Sequence, residues 1–482
     1  MNYSLGFWFL ARLTGLSYFF AFLSLLPQIR GLIGTDGILP AENLLTRASQ
    51  TLGPAAPAAL PSLAWLMGAS NTSLHLIALA GLIAAAFLTF GLLRPFSAAL
   101  TWLCWLSFVN IGQDFLSFQW DTLLLESGFL LIFLEKPGLL PRPPGTDAPP
   151  RLIQFALWFL LARLMFSSGI VKLLSGDPTW ADLSAMTYHF QTQPIPNPLA
   201  WFIHQLPHPL LKFSTVLTFA IELLLPFALL IPKPQARLAA ATGFLSLMAL
   251  IALSGNYAYF NLLTVALCLT LIDNRYFPSF LRCRTIPLPW TPVPWRHLAS
   301  LAALLQLSLT LPVLFSTLGL FPRSLSHRWE ISLAPWHLTS GYGLFAVMTT
   351  RRPEITLEQS QDGQSWEPIL FPYKAGPPNR LPPQIAPFQP RLDWQMWFAA
   401  LSAERGQLPG WFAHFLQQLQ NGSPAVWNLL SSSPQPHPYL RLRLDQYRFT
   451  TPAERSATGH WWHITPGPVL LLLSPNGNST KE

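Results

Sequence analysis

Residues 5–26 read LGFWFLARLTGLSYFFAFLSLL, an unbroken apolar run carrying one charge, Arg12, near its middle. A membrane helix needs about 20 mostly apolar residues, so this run is long enough to cross. No small-residue cleavage site follows it, which predicts a retained helix and not a removed signal. Runs of the same kind recur at 74–93, 97–114, 119–134, 152–174, 213–231, 237–254, 257–272 and 298–320. The reading is a polytopic α-helical membrane domain of about nine spans, with 119–134 short enough to be re-entrant instead.

Composition agrees. Charged residues are 10% of the chain and hydrophobic ones 51%, against roughly 25% charged in an ordinary soluble domain. Residues 1–321 hold 27 of the 50 charges and the last 161 residues hold 23. That shift near Phe321-Pro322 divides the chain into a multi-pass domain, 1–321, and an extracytoplasmic α+β domain, 322–482.

Loop charges set an orientation. With the N-terminus cytoplasmic, the inside loops carry ten positive residues (Arg94; Lys136, Arg142, Arg151; Lys233, Arg237; Arg275, Arg282, Arg284, Arg296). The outside loops 27–73 and 175–212 carry three, Arg30, Arg47 and Lys212. The positive-inside bias then puts residues 322–482 on the outer side, periplasmic or lumenal. The same bias accounts for the net charge of +8. No basic cluster interleaved with aromatics occurs, so nucleic acid is not a partner.

In the second domain, strand-like runs are expected at 342–349, 353–360 and 366–373, with Asp362-Gly363 as a hairpin turn. Helical patterns follow at 391–403, 409–420 and 422–432, then strand-like runs at 439–449 and 460–472. The proline-rich outer loop 175–212 predicts extended chain in place of helix. Cys104, Cys268 and Cys283 form no C-x-x-C pair, so disulfide or zinc chemistry has no seat.

Ionisable residues inside apolar runs are the candidates for chemistry, because an unpaired charge there costs at least about 2.5–3.5 kcal/mol. Arg12, Glu126, Arg163 and Glu222 fall near mid-span, and Asp114, Asp121 and Lys172 lie nearer the outer surface. Gln119, Thr122 and Glu126 share one helix face while Asp121 points elsewhere. Arg163 and Lys172, nine residues apart, face opposite ways. Two readings stand: a polar cavity that binds a ligand, or ion pairs that fix helix register. Either way, at least one of Glu126 and Glu222 should touch Arg163, with Arg12 reaching the same cluster or a backbone carbonyl. Pro207 breaks the spacing of His204 and His208, and His460 and His463 face opposite sides of a strand, so no metal is expected. No G-x-S-x-G, P-loop or dinucleotide fingerprint is present, and neither a cofactor nor a catalytic residue is expected.

Six segments carry a family resemblance: FQWDTLLLESG from Phe118, RLMFSSGIVKLLSGDPTW from Arg163, YHFQTQPIPNPLAW from Tyr188, GNYAYFNLLT from Gly255, GYGLFAVMTTRRPEI from Gly341 and PRLDWQMWFAAL from Pro390. In these the chain resembles the lipase maturation factor family, with a membrane part distantly similar to the transmembrane domain of vitamin K-dependent carboxylases. The resemblance implies a membrane-bound folding or assembly factor for exported client proteins, lipases among the eukaryotic family's clients. Eukaryotic members sit in the endoplasmic reticulum; the sparse lysine and short loops here suggest a bacterial inner membrane. His189, Gln193, Arg391, Asp393, Trp394 and Trp397 are the candidate client surface. For the stretch 389–398 the competing reading is a helix start whose tryptophans cover the sheet. The alternative function is a membrane enzyme or a binder of lipid or small molecules in the polar intramembrane cavity.

Overall fold

The computed structural model describes residues 1–145, 148–281, 293–320, 334–432 and 438–474. All nine apolar runs fold as helices: α1 (Ser4–Leu25), α2 (Asn71–Phe90), α3 (Phe96–Ile111), α4 (Gln119–Ile132), α5 (Arg151–Leu174), α6 (His208–Phe219), α7 (Pro234–Ser254), α8 (Phe260–Leu269) and α9 (Val293–Thr317). Six are long and apolar enough to cross a membrane, α6 reaching that length by running on to Leu230. α3, α4 and α8 have 16, 14 and 10 residues. At 1.5 Å per residue they rise about 24, 21 and 15 Å, short of a hydrocarbon core of about 30 Å. Six long apolar helices among the described residues are therefore what the structure supports for the membrane part.

Successive helices run in alternating directions, as the contacts at their ends record. At one end, Asn2 and Asn274 join backbone to backbone at 2.7 Å, Ser4 donates to the Gly145 carbonyl at 2.8 Å, and Arg94 pairs with Gly138. The other end gathers the turns after α1, α3, α5 and α7, and these meet the C-terminal region. α1 lies against α2 with the two backbones in close approach at Gly15. A Cβ on Gly15 would stand 2.6 Å from the Thr89 amide nitrogen. Small residues at helix crossings allow this approach where hydrophobic exclusion gives little drive.

The C-terminal region is built on an antiparallel sheet: β1 (Arg352–Ser360), β2 (Glu367–Ile369), β3 (Tyr439–Phe449), β4 (Trp462–Thr465) and β5 (Val469–Leu473). The order is β2-β1-β3-β4, and β5 also pairs with β3. The β1–β2 connection turns at Asp362-Gly363, as expected. Gly363 has φ 71°, and the Asp362 carboxylate accepts the amides of Gln364 and Ser365, both at 2.8 Å. α10 (Arg391–Glu404) and α11 (Gly410–Gln420) follow, so the small α+β reading holds.

Four local expectations are corrected. Residues 342–349 form no strand; they turn irregularly, with Phe345 at φ 56°. The run 460–472 is two strands, both paired with β3. The pattern at 422–432 keeps only Pro424–Trp427 as helix. Loop 175–212 is largely helical, with Pro178–Ala181, Ala185–Thr192, Pro198–His204 and the start of α6. Three of its prolines stand in first turns, where no amide is missed, and the Asp177 and Asn197 side chains cap two of these helices. Cys104 and Cys268 are free and buried; Cys283 and the Phe321-Pro322 boundary lie outside the described residues.

A branched side chain at Gly15 should force α1 from α2 and cost about 1–3 kcal/mol. Gly15→Val should lower the detergent melting temperature and the monodisperse yield. A melt equal to the parent's would show that the two backbones are not in contact.

Candidate functional site

The chemistry sits where the turns of the helical part meet the C-terminal region. Three buried ion pairs organise it. Arg163 of α5 donates to Glu126 of α4, as expected, and both side chains are 1% exposed. The same guanidinium donates to Thr339 Oγ1 at 2.8 Å and the Ser340 carbonyl at 3.0 Å, and Tyr342 donates to the second Glu126 oxygen at 2.6 Å. Gln119, one helix face with Glu126, accepts the Gly343 amide at 3.2 Å. The shared face therefore reads a single segment, 339–343.

Asp121, pointing elsewhere, holds Arg391 through two bonds of 2.9 Å, and Tyr259 also donates to it. Arg391 adds the Phe115 carbonyl at 2.7 Å. Glu222 pairs with Lys172 at 2.7 Å and not with Arg163. A π turn at Ala220–Leu224 carries Glu222. Arg12 does not join the central cluster; it pairs with Glu135 at 2.9 Å near the opposite end. Glu135 escaped sequence reading because it stands one residue past its apolar run.

Glu126 and Arg163 bond directly to one another, and the cavity of this region opens beside Lys172 and Glu222 instead. The candidate client surface is corrected in the same way. Arg391 and Asp393 are buried at the junction, Asp393 accepting the amides of Tyr373 and Lys374 at 2.8 Å each. Gln193 is also buried, donating to the Ser254 carbonyl at 2.7 Å and accepting from Tyr257 at 2.9 Å. The helix-start reading of 389–398 is the one the structure supports.

Further ties were not read from the sequence. Arg352 donates to the Gln191 and Pro194 carbonyls, at 2.8 and 3.0 Å. Asn256 accepts the amides of Ile385 and Ala386 at 2.8 and 3.0 Å and donates to the Pro383 carbonyl at 2.8 Å. Carbonyl-rich turns attract such donors, but only the fold says which turn is near.

Two openings flank the segment 343–351. Above it lies a groove of about 890 Å³ whose aromatic wall includes Phe118, Trp120, Trp394, Trp397 and Phe398, with Arg351, Glu404 and Arg405 also lining it. Trp394 packs edge-on against Trp120 at 4.8 Å. Only Val347 and Phe398 of its apolar lining are freely exposed, at 64% and 40%. Below it, a smaller cavity is lined by Lys172, Glu222, His189 and Tyr257 among apolar groups. Burial, with the Lys172 ammonium adding to it, depresses the His189 imidazole to about 4. No group of three or more metal-ligating side chains occurs among the described residues.

The family description "Lipase maturation factor transmembrane domain" matches residues 7–279, and "Lipase maturation factor C-terminal domain" matches 338–466. "Lipase maturation factor 2" of Rattus norvegicus is 34% identical over 92% of this chain and 80% of its own length. The Homo sapiens protein of that name is 34% identical over 92% and 79%. "Lipase maturation factor 1" of Mus musculus is 31% identical over 94% and 84%. No solved structure matches the chain.

Two predictions follow from this geometry. Removing one partner of a buried pair costs about 3–5 kcal/mol, because the other charge is left uncompensated. Arg391→Met and Asp121→Asn should each lower thermal stability sharply, and the double variant should lose much less than the sum. Additive losses would mean the two side chains do not act as a pair. For His189, the folded imidazole stays neutral down to about pH 4 while the unfolded one takes a proton near 6.5. Stability should be flat above pH 6.5 and fall between 6.5 and 4. His189→Phe should remove that component of the slope; an unchanged difference between pH 7 and 5 would assign the proton elsewhere.

Proposed function

The chain belongs to the lipase maturation factor family, and on that premise we propose that it is a membrane-embedded maturation factor whose clients are exported lipases. The observation that carries the reading is the match over both parts of the chain, to relatives named for lipase maturation. The groove of about 890 Å³ is the client site in this reading. An incompletely folded lipase exposes apolar side chains, and a partly wet aromatic trough can hold them without a fixed sequence. Phe398 and Val347 make the contact. Arg391 and Asp393 act one step back, by holding the helix that forms its wall.

Nine alternating passages from a cytoplasmic N-terminus put the groove on the outer side, where exported chains emerge. The membrane is a bacterial inner membrane, with the endoplasmic reticulum as its counterpart for the eukaryotic relatives. The ten-to-three excess of positive residues on one set of loops supports this orientation.

The test is co-expression with a secreted lipase, measuring activity per mass of lipase released. Removing the protein should lower that ratio several-fold. Val347→Glu combined with Phe398→Glu should do the same while leaving the protein folded. A ratio unaffected by complete removal would discard the reading. Reporters fused after Glu482 and after Arg284 should be active only outside and only inside, respectively.

A further inference from the structure

The smaller cavity, about 90 Å³, lies among α5, α6 and α7 and is partly open. Its lining includes Met165, Met186, Met248 and Met348. The chain has seven methionines in all, so more than half stand around one small space. Methionine is unbranched and polarisable, and it gathers where a surface must fit a variable apolar guest. Such a wall can also widen beyond its resting volume. The π turn that carries Glu222 into this wall is a form found mostly at functional positions.

The polar groups define the guest's head. Lys172 and Glu222 cancel each other, bonded at 2.7 and 2.9 Å, so the site has no net charge to offer. An anionic head would meet the Glu222 carboxylate and a cationic one the Lys172 ammonium. Tyr257 directs its hydroxyl hydrogen to Gln193 at 2.9 Å. The Tyr257 oxygen is then an acceptor for His189 Nε2, 3.3 Å away. That leaves His189 Nδ1 as a lone-pair acceptor, and it has no hydrogen-bond partner. An acceptor in a neutral site calls for a donor without charge.

We propose that this cavity binds a neutral, hydroxyl-headed amphiphile, its hydroxyl donating to His189 Nδ1 and its chain lying among the methionines. The site is separate from the client groove, and neither reading depends on the other. Leu344, Phe345 and Met348 line both spaces, so the two share one wall.

The full-length protein in phosphatidylcholine nanodiscs is labelled with hexadecanol bearing a diazirine in its tail. Label should map to residues 164–168 and 247–251, and monoolein should displace it at a concentration at least tenfold lower than oleate or oleylamine. Met248→Trp, which fills the space, should abolish that label. His189→Leu is close in volume and removes the acceptor, and should weaken monoolein competition about tenfold. It also answers the question if Met248→Trp fails to fold. Label spread over lipid-facing helices and insensitive to both variants would overturn the proposal. So would oleate or oleylamine displacing the label as well as monoolein does.

Discussion

The Asp121–Arg391 pair is the constraint on which the rest of the arrangement turns. Both side chains are wholly buried, one at the start of a helix in the membrane part and the other at the start of a helix in the C-terminal part. Neither charge has water to fall back on, so the two helix starts cannot separate without stranding a charge on each side. The Glu126–Arg163 pair repeats the arrangement with Tyr342, Thr339 and Ser340 as outer partners. Helical part and sheet part are consequently one mechanical unit. The aromatic groove has fixed walls because those walls are the two sides of this joint.

Much of this was legible in the chain, for reasons that differ by element. Apolar runs report helices directly, since only a helix satisfies its own backbone in lipid. The Asp362-Gly363 turn and the helix start at Arg391 are local chemistry, and both appear where the residues put them. The Glu126–Arg163 contact followed from depth alone, as two opposite charges near mid-span. Arg12 was misassigned because depth does not say which neighbour is close, and Glu135 sits at the margin of its run. The client surface was misjudged for a related reason: an aromatic-rich stretch looks the same whether it faces a partner or its own other half. Tryptophans 394 and 397 turned out to be nearly buried, and Arg391 wholly so.

The segment 343–351 reads in part as a strand by sequence pattern. Its alternation is real, but its backbone has no strand partner, and it serves two unlike neighbours. Leu344, Phe345 and Met348 face both an aromatic trough and a methionine-lined space. Phe345 holds a left-handed backbone, φ 56°, which is uncommon for a bulky residue and persists only where surroundings enforce it. Its ring is clamped edge-on by His189 at 4.8 Å and by Tyr257 at 6.0 Å. The partition is thin, and it is held from the cavity side.

The distance in sequence between joined charges has a consequence for how the protein is made. Asp121 and Arg391 are 270 residues apart, and Glu126 and Tyr342 are 216 apart. At a synthesis rate of about 5–20 residues per second, Asp121 waits roughly 14–54 s for its arginine. During that interval a carboxylate already delivered to the bilayer stands without the guanidinium that neutralises it. The newborn helical part is thus itself an unfinished membrane protein, dependent on the arrival of its own last third. A protein proposed to mature other chains must first pass through a prolonged unpaired state of its own.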